Sequence, residues 1–243
     1  MKFIGIIPAR YASKRFPGKS LADLCGKPVL WHVYNSAKKF KQMDSLWVAA
    51  DDDRILNYCN SVNIPCLLTN IEHNDCIDRA YETACILQNK SIYADRYIIV
   101  QGDEPFFNCE MLDCDLSPEI VNFYTKIANE EQIIDVNTVK AVVSKKLMAI
   151  YFSRCPIPYS GNSTIKANFA KNFDKQLGVY SFSFNALKEF NRIGMSYFEG
   201  IEGIGLLRFI ENDIDVHMRY SEFDSISIDV PEDLKKAQKL LSN

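Results

Sequence analysis

Residues 8–21, PARYASKRFPGKSL, gather charge directly after a short apolar run: Arg10, Lys14, Arg15 and Lys19 share one loop with Ser13 and Gly18. Polyphosphate oxygens need several donors and positive countercharges, and such a loop supplies both, while Gly18 lets backbone approach a ligand. The spacing is neither that of a P-loop nor that of a GxGxxG fingerprint, so on composition alone a solvated basic face remains the alternative. Two acidic turns complement the loop. In Gln101-Gly102-Asp103-Glu104-Pro105 and Asp229-Val230-Pro231-Glu232-Asp233, an aspartate stands where an apolar run ends and a proline turns the chain. Carboxylates from two strand ends could clamp a divalent cation and align phosphates, or could cap the next segment, the simpler reading for Asp229.

Those residues need elements to hold them. The apolar run 3–7 predicts a strand covered on both faces and ended by Pro8. Apolar spacing predicts helices at 28–40, 54–61 and 78–88, with strands at 46–50, 66–69 and 97–100 between them. Strands alternating with amphipathic helices imply parallel pairing through right-handed crossovers. Ligands in such sheets gather beyond the carboxyl ends of the strands, where the basic loop and the 101–105 turn both fall.

After about residue 135 the texture changes. Extended segments are expected at 138–143, 150–154, 177–184, 216–218 and 225–228, helices at 186–192 and 202–211, and a last helix from Pro231 through Leu241. Residues 161–174 are polar without core periodicity and read as a mobile loop. The reading is a single α/β domain over 1–243 with a second lobe inserted at about 145–220.

Composition excludes several classes. The 28 Lys and Arg against 31 Asp and Glu give a net charge of -3, which disfavours wrapping of nucleic acid. No stretch approaches 18 uncharged apolar residues, and the first apolar run is too short for a signal sequence, so no membrane partner and a cytoplasmic location are expected. The eight cysteines are dispersed without a CxxC pair, reading as mostly buried free thiols in a reducing compartment. No two of the three histidines stand at zinc-ligand spacing. His32, His217, Trp31, Trp47, Phe152 and Phe182 read as packing residues, and Asp51, Asp52 and Asp53 as starters of the helix at Arg54.

Taken together, segments 6–21, 26–33 (GKPVLWHV), 100–105 (VQGDEP), 137–143 (NTVKAVV), 151–154 (YFSR), 177–180 (LGVY) and 229–234 (DVPEDL) resemble the 3-deoxy-manno-octulosonate cytidylyltransferases, or CMP-Kdo synthetases, over almost the whole chain. The resemblance implies a Rossmann-like nucleotidyltransferase core with a mainly parallel or mixed sheet, an attached dimerisation lobe and a homodimer. It also implies transfer of CMP from CTP to Kdo or a closely related 3-deoxy-2-ulosonic acid, with Mg2+ and release of pyrophosphate, a step of lipopolysaccharide biosynthesis. Carried over residue by residue, it puts Arg10, Lys19 and Ser13 on the triphosphate and Asp103 and Asp229 on Mg2+. His73, Arg79 and Lys140 fall on the nucleotide side, and Gln101, Arg154, Gln176, Tyr180 and Glu202 around the acid sugar.

Three departures fall around the expected sugar. Asp75-Cys76-Ile77 stands where the family has Ser-Gly-Thr, Gln176 replaces a histidine, and Gly205-Leu206 replaces a Glu-Gln pair. The first loses glycine's close approach and adds a carboxylate, and the second removes a side chain that could become cationic. The departures raise an alternative, CMP activation of an amino-octulosonate or a nonulosonic acid, to which the added Asp75 is suited. A non-catalytic nucleotide-binding homologue is the remaining reading, and it leaves the retention of Asp103 and Asp229 unexplained.

Overall fold

The computed structural model describes residues 1–13, 15–73, 75–159 and 169–242. Lys14 of the basic loop and residues 161–168 of the expected mobile segment lie outside the described residues.

Strand β1 (Phe3–Ala9) is buried at every residue. Its period of two sends Phe3, Ile7 and Ala9 into one apolar cluster and Ile4 and Ile6 into another, so the strand must be covered on both faces. Pro8 does not end it: pairing to the next parallel strand continues through Pro8 and Ala9. The ladder on the opposite side stops at Ile6, so the missing proline N–H falls where β1 has a single partner.

A short hairpin, β2 (Asp23–Leu24) and β3 (Lys27–Pro28), leads into α1 (Val29–Ala37), and β4 (Met43–Ala50) follows. Then come α2 (Asp53–Ser61), β5 (Cys66–Leu68), α3 (Cys76–Asn89) and β6 (Arg96–Val100). Strands β6, β1, β4 and β5 lie side by side and parallel, as the alternation of elements implies. Helices α1 and α2 pack on the Phe3–Ile7 face and α3 on the Ile4–Ile6 face.

The second half is woven into this sheet. It comprises β7 (Ile120–Lys126), α4 (Glu130–Ile134), β8 (Lys140–Val143), β9 (Ala149–Ser153), β10 (Asp174–Phe182), α5 (Phe184–Ile193), α6 (Tyr197–Glu202), α7 (Leu207–Ile210), β11 (His217–Tyr220) and α8 (Pro231–Leu241). The strand order is β11-β7-β10-β6-β1-β4-β5, with β10 antiparallel to both β6 and β7. Residues 145–220 therefore supply a central strand, β10, an edge strand, β11, and β9, which pairs with β8, besides the helices α5–α7. Strand β7 was not expected from the sequence. Its buried Asn122 makes sense only against β10, where Nδ2 donates to the carbonyls of Leu177 (3.0 Å) and Val179 (2.8 Å) across an irregularity in the ladder.

Three expectations are corrected. Of the helix expected over 202–211, Glu202 is instead the last residue of α6, which ends because Gly203 adopts a left-handed conformation (φ 64°), and helix resumes only over α7. Residues 225–228 form no strand; instead the Ile228 N–H donates to the Asp103 carbonyl at 2.8 Å, tying the two acidic turns together. All eight cysteines are free, but only Cys59 is fully buried, and Cys25, Cys114 and Cys155 are exposed. Among the described residues no helix is long and apolar enough to cross a membrane.

Candidate active site

A cleft of about 520 Å³ opens at the carboxyl ends of β1 and β6. The loop after β1 is shaped by its own backbone: the Tyr11 carbonyl accepts from the N–H groups of Ser13 (2.9 Å) and Gly18 (2.8 Å). Gly18 sits at φ 72°, which an L side chain resists, and a Cβ there would stand 3.2 Å from the Tyr11 ring. The Asp51 carboxylate anchors the loop by accepting from the Tyr11 N–H at 2.9 Å. Opposite, the β6 turn presses so closely on β1 that a Cβ on Gly102 would stand 2.5 Å from the Pro8 carbonyl oxygen. These approaches bring Lys19 to the acidic turns.

Lys19 Nζ donates to Asp103 Oδ2 at 2.5 Å and to Asp229 Oδ1 at 3.2 Å, and Arg15 Nη2 reaches the same Asp229 oxygen at 2.8 Å. Burial by itself lowers the Lys19 pKa, but Asp103 and Asp229 outweigh it and hold the ammonium above its ordinary value. Asp229 is not the cap of α8. Asp233 reaches back to accept from the N–H groups of Asp229 and Val230, both at 3.1 Å, which leaves the Asp229 carboxylate facing Lys19.

Asp103 Oδ1 is buried and lacks a hydrogen-bond partner among the described residues. An orphaned carboxylate oxygen beside a second carboxylate is a hard donor set that suits Mg2+, an ion usually held by one or two carboxylates plus substrate phosphates and water.

The cleft lining brings together Arg10, Ser13 and Lys19 with Gln101, Arg154, Gln176 and Tyr180, and with Asp103 and Asp229. Gln101 Nε2 donates to the Tyr180 hydroxyl at 3.0 Å, and Gln176 Nε2 to Asn122 Oδ1 at 3.2 Å. Arg154 donates to the carbonyls of Glu202 (2.7 Å), Val136 (2.8 Å) and Gly203 (3.4 Å), neutral acceptors that leave its charge available to an anion. Arg79 also lines the cleft but is 1% exposed; Nη1 is held by Thr69 Oγ1 (2.6 Å) and the Asn70 carbonyl (3.1 Å), and Nη2 lacks a hydrogen-bond partner among the described residues. Asp51, expected to start a helix, lies 3.7 Å from that Nη2, and the start of α2 falls to Asp52, which accepts from the Arg54 N–H.

Three expected site residues stay out of the cleft lining. His73 Nε2 pairs with Glu82 Oε2 at 2.6 Å, nine residues along the chain. Lys140 is fully buried, and its ammonium is spent on the carbonyls of Asp135 (2.9 Å) and Thr138 (2.6 Å). Glu202 accepts from Ser153 Oγ (2.6 Å) and from the Arg154 N–H (2.9 Å), so it acts on the cleft through Arg154.

Arg15 and Glu104 were visible in the basic loop and the first acidic turn, but neither was given a site role of its own. Arg15 was visible as a basic loop residue, but its partner Asp229 is over two hundred positions away. Glu104 accepts from the Gly178 N–H at 3.1 Å and from Ser225 Oγ, pinning β10 and the 225–229 segment behind the metal-ligand candidates. Burial pushes its carboxyl up to about 7, against the Ser225 bond that lowers it. A raised acid pKa means the folded state holds the proton more tightly than the unfolded chain, whose carboxyl titrates near 4.3. Its stabilising contribution is complete below that pH and declines as pH rises toward 7. Glu104→Gln, whose Oε1 can accept from the Gly178 N–H and whose NH2 can donate to Ser225 Oγ with that bond reversed, is expected to flatten this dependence, removing about 3 kcal/mol of stability change between pH 4 and 8. Urea unfolding across that range checks it; parallel profiles for the two proteins would refute it.

Residues 4–216 match a family model described as Cytidylyltransferase. The 3-deoxy-manno-octulosonate cytidylyltransferase of Thermodesulfovibrio yellowstonii is 39% identical over 252 residues, covering all of this chain and 99% of its own length. The enzyme of the same name from Parabacteroides distasonis is 36% identical over 254 residues, with the same coverage. Among solved structures, a CMP:2-keto-3-deoxy-manno-octonic acid synthetase complexed with CTP superposes with a TM-score of 0.85 at 31% identity, over all of this chain and 99% of that one. The 4-diphosphocytidyl-2C-methyl-D-erythritol synthase of Anaerococcus prevotii, 15% identical with a TM-score of 0.65 over all of this chain and 99% of that one, shares the fold. A mixed sheet with nucleotidyltransferase topology, a basic loop facing two strand-end aspartates, and identity sustained from end to end place this chain in the cytidylyltransferase family, among the 3-deoxy-manno-octulosonate cytidylyltransferases.

Proposed function

We propose that the protein transfers CMP from CTP to the anomeric hydroxyl of Kdo or a closely related 3-deoxy-2-ulosonic acid and releases pyrophosphate. The observation that carries this reading is one cleft lined by a cationic loop, an aspartate pair and a guanidinium, Arg154, whose side-chain acceptors among the described residues are backbone carbonyls. The relative solved with CTP, at 31% identity, supports CTP as the donor.

In this reading Arg10, Ser13, Arg15 and Lys19 bind the triphosphate, and the loop amides fix its oxygens. Arg79, with its buried Nη2, faces the nucleotide. Asp103 and Asp229 would hold Mg2+, which when bound neutralises phosphate charge and makes the α-phosphorus more electrophilic. Arg154, braced by Glu202, binds the sugar carboxylate, and the Gln101–Tyr180 pair orients its hydroxyl groups. As the anomeric oxygen bonds to the α-phosphorus and gives up its proton to water, the bond to the β-phosphate oxygen breaks, and Lys19 offsets the charge that grows on pyrophosphate. Pyrophosphate release and a CMP-sugar product should both appear with CTP plus an acid sugar and should fall sharply with UTP, ATP or GTP. Absence of a CMP-sugar from every acid sugar tried would sink the reading.

A homodimer completes the proposal. Helix α6 exposes Tyr197, Phe198 and Ile201, with Met195 and the β9 residue Ile150 also exposed. Phe198 packs edge-on against Tyr151 of β9 at 5.8 Å and meets the Tyr197 ring at 5.5 Å, so these three aromatic rings form one cluster. A second copy is the occupant that the family resemblance implies for such a face. Light scattering should give about twice 27.8 kDa for the native protein and 27.8 kDa for Tyr197→Glu/Ile201→Glu. A monomer at every concentration would exclude the dimer.

A further inference from the structure

The wall formed by the start of α3 and the turn between α6 and α7 carries a carboxylate that the cytidylyl-transfer reading does not use. Asp75 lines the cleft alongside Arg154 and Tyr180. Its Oδ1 accepts from the Ile77 N–H at 2.7 Å and so caps α3. Oδ2 lies against the backbone of Gly205, where a Cβ would stand 2.6 Å from Oδ2 and 2.8 Å from Cγ. Position 205 must therefore lack a side chain for Asp75 to sit where it does, although the two residues are far apart in sequence.

The surrounding charge is lopsided. Arg208 is the cation that lowers the Asp75 pKa, and its donors are committed elsewhere. Nε donates to Glu199 (2.7 Å), Nη1 to Asp78 (3.2 Å) and the Phe190 carbonyl (2.9 Å), and Nη2 to Asp78 (3.2 Å) and Glu199 (2.6 Å). A guanidinium has five N–H donors, and these bonds account for all five. Asp75, Asp78 and Glu199 thus share one saturated guanidinium, which leaves this corner net negative. Burial pushes the Asp75 carboxyl up to about 6, with Asp78 and Glu199 adding to the rise. It is still mostly ionised at pH 7.

A neutral Ser, Thr or Asn caps a helix comparably to Asp, so capping does not call for the charge. Beside a triphosphate or a sugar carboxylate, an ionised Asp75 is repulsive; beside an ammonium it is attractive. The cleft thus presents Arg154 to an anion and Asp75 to a cation.

Building on the cytidylyl-transfer reading, we propose that Asp75, given room by Gly205, is a specificity-determining residue that selects an acid sugar bearing a protonated primary amine. Such a sugar carries the carboxylate for Arg154 and the ammonium for Asp75 on one molecule.

The test compares kcat/KM, read as pyrophosphate release with CTP and Mg2+, for a 3-deoxy-2-ulosonic acid and its analogues with one hydroxyl replaced by an amine or an acetamide. One amine analogue should exceed its hydroxyl parent by at least about tenfold, and the neutral acetamide should not. Asp75→Asn, which can still cap α3, and Gly205→Ala, which displaces the carboxylate, should each reduce that ratio about tenfold. Calorimetric titration of the amine analogue gives a readout independent of turnover, and circular dichroism confirms folding. If Asp75→Asn does not fold, the native ratio and Gly205→Ala decide. A native preference for the hydroxyl parent, or a ratio unchanged in the folded variants, overturns the assignment and leaves cytidylyl transfer standing. No CMP-sugar from any of these acids overturns both.

Discussion

Asp103→Asn is expected to lower kcat/KM for CMP transfer by roughly a thousandfold or more while the protein stays folded. The substitution keeps the volume and one carbonyl-type acceptor but removes the anionic charge from a half-buried group whose buried Oδ1 has no hydrogen-bond partner among the described residues. A neutral amide is a poor Mg2+ ligand, and its NH2 group would point hydrogen at the ion or at phosphate. Asp229→Asn should behave alike, because Asp233 and not Asp229 caps α8. The converse change, Asp233→Ala, should cost about 1 kcal/mol of stability with a far smaller effect on turnover. Steady-state kinetics over a Mg2+ series with parallel thermal melts separates these outcomes. Near-native activity of Asp103→Asn at limiting Mg2+ would remove the aspartate pair from the chemistry.

Lys19→Ala should act twice. In the nucleotide-free protein, its ammonium holds Asp103 and Asp229 together while largely out of solvent. Deleting it leaves two close carboxylates with Arg15 on the outer edge of Asp229, a loss on the order of 3 kcal/mol. Mg2+ can restore part of that loss, so the melting temperature should rise more on adding Mg2+ to the variant than to the native protein. Turnover should fall by about a hundredfold to a thousandfold, with weaker CTP binding, because the same charge serves bound triphosphate and departing pyrophosphate. Equal Mg2+ shifts in the two proteins, or unchanged CTP affinity and turnover, would contradict the role drawn for Lys19.

The elements that carry these groups were legible because their signals are local. The two-residue alternation of β1, the proline that opens α8 and the apolar spacing of α3 are written within a few turns of chain, and the loops at the ends of β1 and β6 follow from the alternation of strands and helices. The basic loop, the two acidic turns and Arg154 were likewise recognisable by residue type and by resemblance. Where Gly203 interrupts 202–211, the apolar spacing promised one helix, yet a left-handed residue at the end of α6 outweighs spacing.

By itself the sequence determined a layered α/β chain with a cationic loop and two strand-end aspartates, since residue type and short-range periodicity carry that information. Tertiary structure alone decided which charge meets which. It put antiparallel β10 between β6 and β7, turned Asp229 toward Lys19 once Asp233 had taken the helix cap, buried Lys140 among carbonyls, and set Asp75 against Gly205. Each of these depends on groups brought together by sheet order and close backbone approach, and a side chain's electrostatic role follows from such neighbours, which no local pattern encodes.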